Sequence, residues 1–300
     1  MKRISAVVLF VGILTVSVFA VTSCGDDNLY TGVFTTTSEN QAGFIPINPV
    51  INNQPKTVTI TYDDNIIEKL KTVNDGDTVI LKHGTYDLIE AYKDYYGDDF
   101  WDTYDGYLDN DDEFYQGLPI KRGTKWICSP NAEIVCIYNG DNPNVEKYFS
   151  PINTGDGYSI TGLNLRSKGC RYAIHDDFNT SATPRICEMR NCHIVSETSR
   201  AIGGGLGVSN SYIFDGNYFE GATASITYHN NGVNARSQMN ITNNYFVGTV
   251  SFRHYGTSTD KSTVLLSGNS MSDNYQLIQE IEGGVIENIE VIAWNNEIRQ

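Results

Sequence analysis

The chain has 300 residues, of which 40% are hydrophobic, and carries a formal net charge of -15 at pH 7. It contains 36 acidic residues against 21 lysines and arginines. Nucleic acids and anionic lipid headgroups bind basic surfaces, so this charge balance argues against both as partners of the protein.

The first 23 residues have the layout of a cleavable export signal. Lys2 and Arg3 precede an apolar run over residues 4–21, and Ser23 and Cys24 follow it. A membrane-spanning helix is the alternative, because such a helix needs about 20 apolar residues. The small residues before the cysteine resemble the lipobox of bacterial lipoproteins, in which the cysteine becomes the acylated first residue. The resemblance implies a signal peptide over residues 1–23 and membrane attachment through a lipid on Cys24 alone.

Residues 24–56 are predicted to form a flexible tether. Gly25, Asp26 and Asp27 resemble the acidic tag that directs lipoproteins of the Bacteroidetes to the outer face of the outer membrane, which implies a location at the cell surface. The sequence that follows is rich in Thr, Asn, Gly and Pro and lacks a sustained hydrophobic period. We therefore expect one folded domain over residues 57–300.

The domain opens with a predicted helix and a strand. Between Asn65 and Val73 the apolar residues share one helical face, and residues 76–86 then supply a Gly-Asp-Thr turn and an apolar strand. This opening resembles that of the pectate-lyase-like β-helix superfamily, in which an amphipathic helix caps the first coil. The superfamily's usual proline is His83 here. Members include polysaccharide lyases, glycoside hydrolases, epimerases, esterases and adhesive proteins, so the resemblance implies the fold and leaves the activity open.

An insertion over residues about 92–115 interleaves aromatic and acidic residues. Aromatic faces stack on sugar rings, so Trp101 and Tyr104 are predicted to bind substrate as one wall of a glycan groove. Clustered carboxylates bind hard cations, which makes Ca²⁺ a candidate ligand, although the spacing does not match an EF-hand. The alternative is a solvated loop on the side of the domain.

The second half of the chain repeats a short pattern around a recurring position that is usually asparagine. Successive copies lie 25 to 29 residues apart, at Leu163, Cys192, Asn217, Asn244, Asn269 and Asn296. A period of this length indicates a solenoid, and stacked asparagines can hydrogen-bond their copies in neighbouring coils while tolerating a left-handed bend. We predict an all-β protein, a right-handed single-stranded parallel β-helix with an N-terminal capping helix.

A second recurring segment is predicted to carry the site. We expect its central apolar residues to point inward, namely Ile174, Ile202, Ile226, Phe252 and Ile278. Because side chains alternate along a strand, one outward column should hold the residues that follow them. These are His175, Gly203, Thr227, Arg253 and Gln279. The next outward column should hold Asp177, Gly205, His229, Tyr255 and Ile281.

These columns suit proton abstraction beside a uronate carboxylate, which needs a base and a neutralising positive charge. His175 or His229 would be the base, Arg253 the positive charge and Tyr255 the acid. Asp177 would orient a histidine or bind a metal ion. Asp176 would point inward, where a carboxylate is costly, so we expect the strand to end near His175.

Acceptance of an acidic glycan would also need local positive charge, for which Arg171 and Arg236 are candidates for substrate binding. The favoured function is a cell-surface protein that binds a polysaccharide and cleaves it by β-elimination. A non-catalytic glycan-binding or adhesive lipoprotein is the first alternative. A glycoside hydrolase is the second, although it needs two carboxylates about 5 to 9.5 Å apart and the sequence offers no clear partner for Asp177.

Five cysteines remain beyond the anchor, and no metal-binding spacing links them. We expect small apolar residues in the core, with a single disulfide as the alternative. They are Cys128, Cys136, Cys170, Cys187 and Cys192. The sequence leaves the oligomeric state open.

Overall fold

A computed structural model describes residues 32–36, 42–46 and 54–298, apart from 107–111, 155–156, 177–184, 231–235, 257–258 and 282–284. The predicted signal peptide, Cys24 and Asp177 lie outside the described residues. The chain divides into two compact units, Met1–Gln54 and Pro55–Gln300. In the first unit, strands β1 (Gly32–Thr36) and β2 (Ala42–Pro46) pair antiparallel within the predicted tether, whose role stays a prediction.

The second unit is built from short strands and a few helices. Its helices are α1 (Ile66–Leu70), α2 (Leu88–Tyr96), α3 (Phe100–Thr103) and α4 (Pro143–Tyr148). Its strands are β3 (Thr57–Ile60), β4 (Thr78–Leu81), β5 (Gly84–Asp87), β6 (Leu118–Pro119), β7 (Thr124–Cys128), β8 (Ala132–Ile137), β9 (Ile152–Thr154), β10 (Tyr158–Thr161), β11 (Asn164–Lys168), β12 (Tyr172–Asp176), β13 (Ile186–Arg190), β14 (His193–Ser196), β15 (Arg200–Leu206), β16 (Ser211–Asp215), β17 (Tyr218–Gly221), β18 (Ala224–Asn230), β19 (Gln238–Thr242), β20 (Tyr245–Val247), β21 (Thr249–His254), β22 (Ser262–Ser267), β23 (Ser270–Met271), β24 (Gln276–Ile281), β25 (Ile289–Trp294) and β26 (Glu297–Ile298).

The strands of this unit form three parallel sheets that run along a solenoid. Sheet 1 has nine strands in the order β25-β22-β19-β16-β13-β10-β7-β4-β3, and sheet 2 has eight in the order β26-β23-β20-β17-β14-β11-β8-β5. Sheet 3 has seven strands in the order β24-β21-β18-β15-β12-β9-β6. From β4 to β24 each coil adds one strand to each sheet in turn, which confirms the predicted right-handed parallel β-helix.

The first coil is closed by α1, as predicted. The side chain of Asn65 accepts hydrogen bonds from the backbone N–H groups of Ile67 and Glu68, which are left without partners in the first turn of a helix. Ile66, Ile67 and Leu70 are buried on one face, and Val73 beyond the helix is buried with them. This apolar face covers the end of the core. Among the described residues, no helix is long and apolar enough to span a membrane.

The asparagine ladder lies at the bend between sheets 1 and 2. The Oδ1 atom of Asn244 accepts from both the backbone N and Nδ2 of Asn217 at 2.9 Å, and Asn269 and Asn296 repeat this contact in the following coils. The predicted contact between stacked copies is therefore confirmed. The left-handed conformation belongs to the residue before each ladder position, for example Gly216 with φ 68° and Asn243 with φ 56°, and not to the ladder asparagine as expected.

Candidate functional site

The outward face of sheet 3 carries the predicted site residues, and strands β12, β15 and β18 have the expected register. His175 pairs with Gly203, and Gly203 pairs with Thr227. Gly203 and Gly205 alternate with the inward Gly204 along β15, so the outward face has no side chain at two neighbouring positions of this coil. Gly203 and Gly205, one from each predicted outward column, therefore leave a floor without side chains in this coil.

The register of β21 differs from the prediction by two residues. Tyr228 pairs with Phe252, so Thr227 lies beside Ser251 and His229 lies beside Arg253. The prediction aligned Ile226 with Phe252 because it assumed one central apolar residue per strand. Val250 and Phe252 are both fully buried, and the observed register places Phe252 beside the equally large Tyr228 in the core.

The register of β24 also differs, by one residue. Arg253 pairs with Glu280, and the predicted column member Gln279 pairs instead with the inward Phe252. Ile281 pairs with the buried His254, so it does not belong to the outward column. A slip of one residue exchanges the two faces of a strand, and here it brings a carboxylate next to Arg253.

His229, Arg253 and Glu280 therefore form a charged column over three consecutive coils. The Nε atom of Arg253 lies 2.6 Å from Oε2 of Glu280, and both side chains are more than two-fifths exposed. The ring of Tyr255, which is 57% exposed, tilts against the ring of His229 with a centroid distance of 6.0 Å. His229 and Arg253 lie in neighbouring strands, about 4.8 Å apart in backbone.

His175 does not join this column. His175 lies two coils before His229 and two positions earlier along the strand. With about 4.8 Å per coil and about 3.3 Å per residue, the backbones of the two histidines are about 12 Å apart. The two histidines are therefore too far apart to act on one proton. Each belongs to a different part of the face.

The part around His175 holds two arginines, one of which the sequence analysis missed. The guanidinium carbons of Arg171 and Arg200 lie 5.0 and 5.2 Å from the ring centroid of Tyr172, and Arg200 donates a hydrogen bond to the Tyr172 hydroxyl at 3.2 Å. The Tyr172 ring lies 5.4 Å from that of His175. Arg200 occupies the position of Tyr172 in the next copy of the recurring segment. The alignment of the two copies could therefore have indicated that Arg200 lies beside Tyr172.

Asp176 is an inward, fully buried member of β12, and the expectation that the strand ends before it is wrong. Its carboxylate accepts hydrogen bonds from Thr154 Oγ1 at 2.6 Å, from the Tyr158 hydroxyl at 2.9 Å and from the Tyr228 hydroxyl at 2.7 Å. Burial, followed by the nearby Asp176 carboxylate, raises the pKa of Tyr158 and Tyr228 well above the usual value. The hydroxyls thus remain donors and make the interior position tolerable.

Gly204 makes this contact between separated coils sterically feasible. It lies between Asp176 and Tyr228 in the inward column, so the Tyr228 side chain passes a position that has no side chain. A Cβ atom at Gly204 would lie 1.7 Å from the backbone oxygen of Asp176. Gly204 is therefore a packing position rather than part of an open floor.

Trp101 and Tyr104 are buried, with exposed fractions of 4% and 1%, although they were predicted to line a groove. The Trp101 indole donates to the backbone oxygen of Ile89 at 3.0 Å, and its ring packs against Phe149 at a centroid distance of 4.9 Å. Tyr104 packs against Tyr115 at 5.0 Å. The described part of the insertion is thus a small aromatic core, and protein atoms cover the faces that a sugar would need.

Arg236 lies away from the sheet 3 face. It precedes β19 of sheet 1, and its Nη2 atom is 3.0 Å from Oδ1 of Asp260. No three His, Cys, Asp or Glu side chains converge on a potential metal site within the described ranges. Asp177, the predicted metal ligand, is not among those residues, so its role and that of Ca²⁺ stay predictions.

A groove that the sequence did not predict lies outside the asparagine ladder. It has a volume of about 490 Å³ and is lined by residues of the bends that include Asn191 and Asn243. Beside it, the rings of Tyr218 and Tyr245 stack at 5.5 Å and 9°. Both tyrosines line the groove.

A scan against protein-family models and a search of the curated proteins found no match to the chain.

Proposed function

We propose that the outward face of sheet 3 binds an acidic polysaccharide. One observation carries this proposal: a protein of net charge -15 gathers Arg200 and Arg253, with two histidines, along sheet 3, and Arg171 extends from the bend before β12 over the same Tyr172 ring as Arg200. From β12 to β21 this face spans about 14 Å at the spacing of parallel strands, a length that suits several sugar rings. The net negative charge of the protein would repel a polyanion, but salt screens charges more than about 8 Å away, so nearby arginines can still attract its carboxylates.

Arg171 and Arg200, beside Tyr172, would bind carboxylates in a different way from Arg253. Arg171 and Arg200 are held by the ring of Tyr172, so their guanidinium groups are partly ordered before a ligand arrives. Arg253 would exchange Glu280 for a sugar carboxylate. An exposed ion pair contributes only about 0 to 1 kcal/mol, so this exchange costs little.

Cleavage by β-elimination is the second candidate, and the pairing of His229 with Arg253 favours it. In this scheme Arg253 neutralises the uronate carboxylate, His229 removes the proton beside it, and Tyr255 protonates the departing sugar oxygen. A glycoside hydrolase needs two carboxylates beside the substrate. Asp176, the residue before Asp177, is buried inside the coil and cannot be the second one, so this alternative loses support. The alternative to cleavage is binding alone, as in a non-catalytic glycan-binding or adhesive lipoprotein.

The location belongs to the same proposal and rests on sequence alone. A lipid on Cys24 would attach the protein to the outer membrane, and the short acidic tag favours the cell surface, where polysaccharide is encountered. The pectate-lyase-like opening around Asn65 supports kinship with that superfamily. Ca²⁺ is kept as a proposed ligand of the acidic insertion and of Asp177, on the chemistry of carboxylates.

Incubation of the full chain with neutral and acidic polysaccharides tests the function. Binding should be measured by calorimetry, and products by ultraviolet absorbance of unsaturated ends and by assay of reducing ends. We expect binding to an acidic polymer. Unsaturated ends would identify elimination, reducing ends without them hydrolysis, and binding without products the adhesive role.

Three variants relate binding to the face. Arg200→Ala and Arg253→Ala should each weaken binding of the acidic polymer about tenfold, which corresponds to about 1.4 kcal/mol. Arg236→Ala is the matched control, because Arg236 is exposed and pairs with Asp260 away from sheet 3. Equal losses in all three variants would show general attraction to positive charge and contradict a site on sheet 3.

A further inference from the structure

Two of the buried cysteines face each other across neighbouring coils. The Sγ atoms of Cys136 and Cys170 lie 3.5 Å apart, and both side chains are at most 1% exposed. Cys136 lies in β8, and Cys170 lies in the bend between β11 and β12, one coil further on. Neither of the two is in a disulfide in this structure.

The bend that carries Cys170 is held against the coil of Cys136. The amide N of Tyr138 donates to the backbone oxygen of Lys168 at 3.0 Å, and Sγ of Cys170 lies 4.0 Å from the backbone oxygen of Cys136. Gly169 holds the bend in the left-handed conformation with φ 68°, and a Cβ there would lie 2.4 Å from the Tyr138 oxygen. Cys136 pairs with Ser167, and the bend after Ser167 returns the Cys170 side chain to Cys136. A disulfide needs its two Sγ atoms about 2 Å apart, so a shift of about 1.5 Å from the observed contact forms the link.

We propose that Cys136 and Cys170 form a disulfide when the chain folds in the presence of a disulfide donor. One cysteine thiolate attacks the donor disulfide and releases one donor thiol, and the second cysteine then attacks the mixed disulfide and releases the other. The two cysteines are oxidised, the donor disulfide is reduced to two thiols, and no other reactant is needed. This inference is independent of the proposed glycan binding.

The folded environment indicates when the link forms. The hydrogen bond with Cys170, followed by burial, raises the pKa of the Cys136 thiol well above its usual value. A buried neutral thiol reacts slowly, because the thiolate is the nucleophile. The disulfide should therefore form while the chain is folding, before the coil buries the two thiols.

The link would fasten consecutive coils next to the arginine cluster. The segment from Cys136 to Cys170 contains β9, β10 and β11, and Arg171 and Tyr172 follow at once. In a solenoid each coil is held mainly by its neighbours, so a covalent link between coils opposes local opening. It would fix the bend from which Arg171 extends.

The test refolds the reduced full chain with a mixture of oxidised and reduced glutathione and blocks remaining thiols in denaturant. Trypsin should then release residues 126–147 joined to residues 169–171, as detected by mass spectrometry without reduction. Because the longer peptide also holds Cys128, the variant Cys128→Ser serves as the matched control and should retain the link. Most wild-type molecules should carry it.

Cys136→Ser and Cys170→Ser should each lose the linked peptide, with circular dichroism confirming that the variants fold. If either variant does not fold, fragmentation of the wild-type linked peptide assigns the bond to Cys136 or to Cys128. The oxidised wild type should also unfold at a higher urea concentration than the reduced one. Alkylation of both thiols in folded wild-type protein, or a bond to Cys128, would overturn the proposal.

Discussion

The asparagine ladder makes a quantitative prediction for the change Asn244→Ala. The Asn244 side chain accepts from the backbone N and Nδ2 of Asn217 and donates to the backbone oxygens of Phe214 and Thr242 and to Oδ1 of Asn269, all within 3.1 Å. The residue is 1% exposed. Water therefore cannot easily replace the lost partners.

The cost follows from the groups that the change leaves unpaired. A buried donor without an acceptor costs about 1 to 3 kcal/mol, and each lost hydrogen bond about 1 kcal/mol more. The backbone N–H of Asn217 and the oxygen of Phe214 lose their side-chain partner, so we expect Asn244→Ala to lower the free energy of unfolding by about 3 to 4 kcal/mol. Asn296→Ala, at the half-exposed end of the ladder, should cost about 1 kcal/mol, because water can reach its partners.

Urea unfolding of the two variants and the wild type, followed by circular dichroism, measures the difference. Asn244→Ala should lower the free energy of unfolding by at least about 2 kcal/mol more than Asn296→Ala does. Equal costs at the two positions would refute it, since both variants remove the same side chain.

Two further predictions concern packing. Gly204→Ala should abolish folding or lower the unfolding midpoint severely, because its Cβ would lie 1.7 Å from the backbone oxygen of Asp176, whereas Gly203→Ala, whose Cβ would lie 3.3 Å from the backbone oxygen of Thr227, should lower the midpoint far less. Thermal unfolding checks both, and similar midpoints would contradict the assigned faces of β15. Trp101→Ala should destabilise the protein by about 3 to 5 kcal/mol, as expected for a buried aromatic residue. Trp294→Ala is its control, since Trp294 is 45% exposed and should cost far less; comparable losses in urea unfolding would contradict the aromatic core.

The repeat and the cap were predictable because each depends on local sequence. The spacing of Asn217, Asn244 and Asn269 reports the coil length directly, and the apolar face after Asn65 reports one helix. The first signal requires only that neighbouring coils be equivalent, and the second requires only the helical period of one short segment. The structure confirms the β-helix and the capping helix for this reason.

The register of sheet 3 was harder to predict because its strands differ in length and content. β12 has five residues, β18 has seven and β21 has six, and β21 buries both Val250 and Phe252. The choice between registers depends on packing in three dimensions, which a single apolar position cannot report.

Asp176 was misjudged for a related reason. Its hydroxyl donors come from three other strands, β9, β10 and β18, and Tyr228 reaches it across Gly204. Nothing in the local sequence indicates that a buried carboxylate would find three partners. Trp101 and Tyr104 show the same limit, because their exposure depends on Phe149, far along the chain.

The central claim is that carboxylates of a polysaccharide bind the arginines of sheet 3. Its most direct test compares calorimetric binding of an acidic polysaccharide that binds the protein with binding of the same polymer after chemical reduction of its carboxylates to alcohols. We expect at least tenfold weaker binding of the reduced polymer, about 1.4 kcal/mol, and little further loss when Arg253→Ala is tested with it. Equal affinity for the two polymers would contradict the claim.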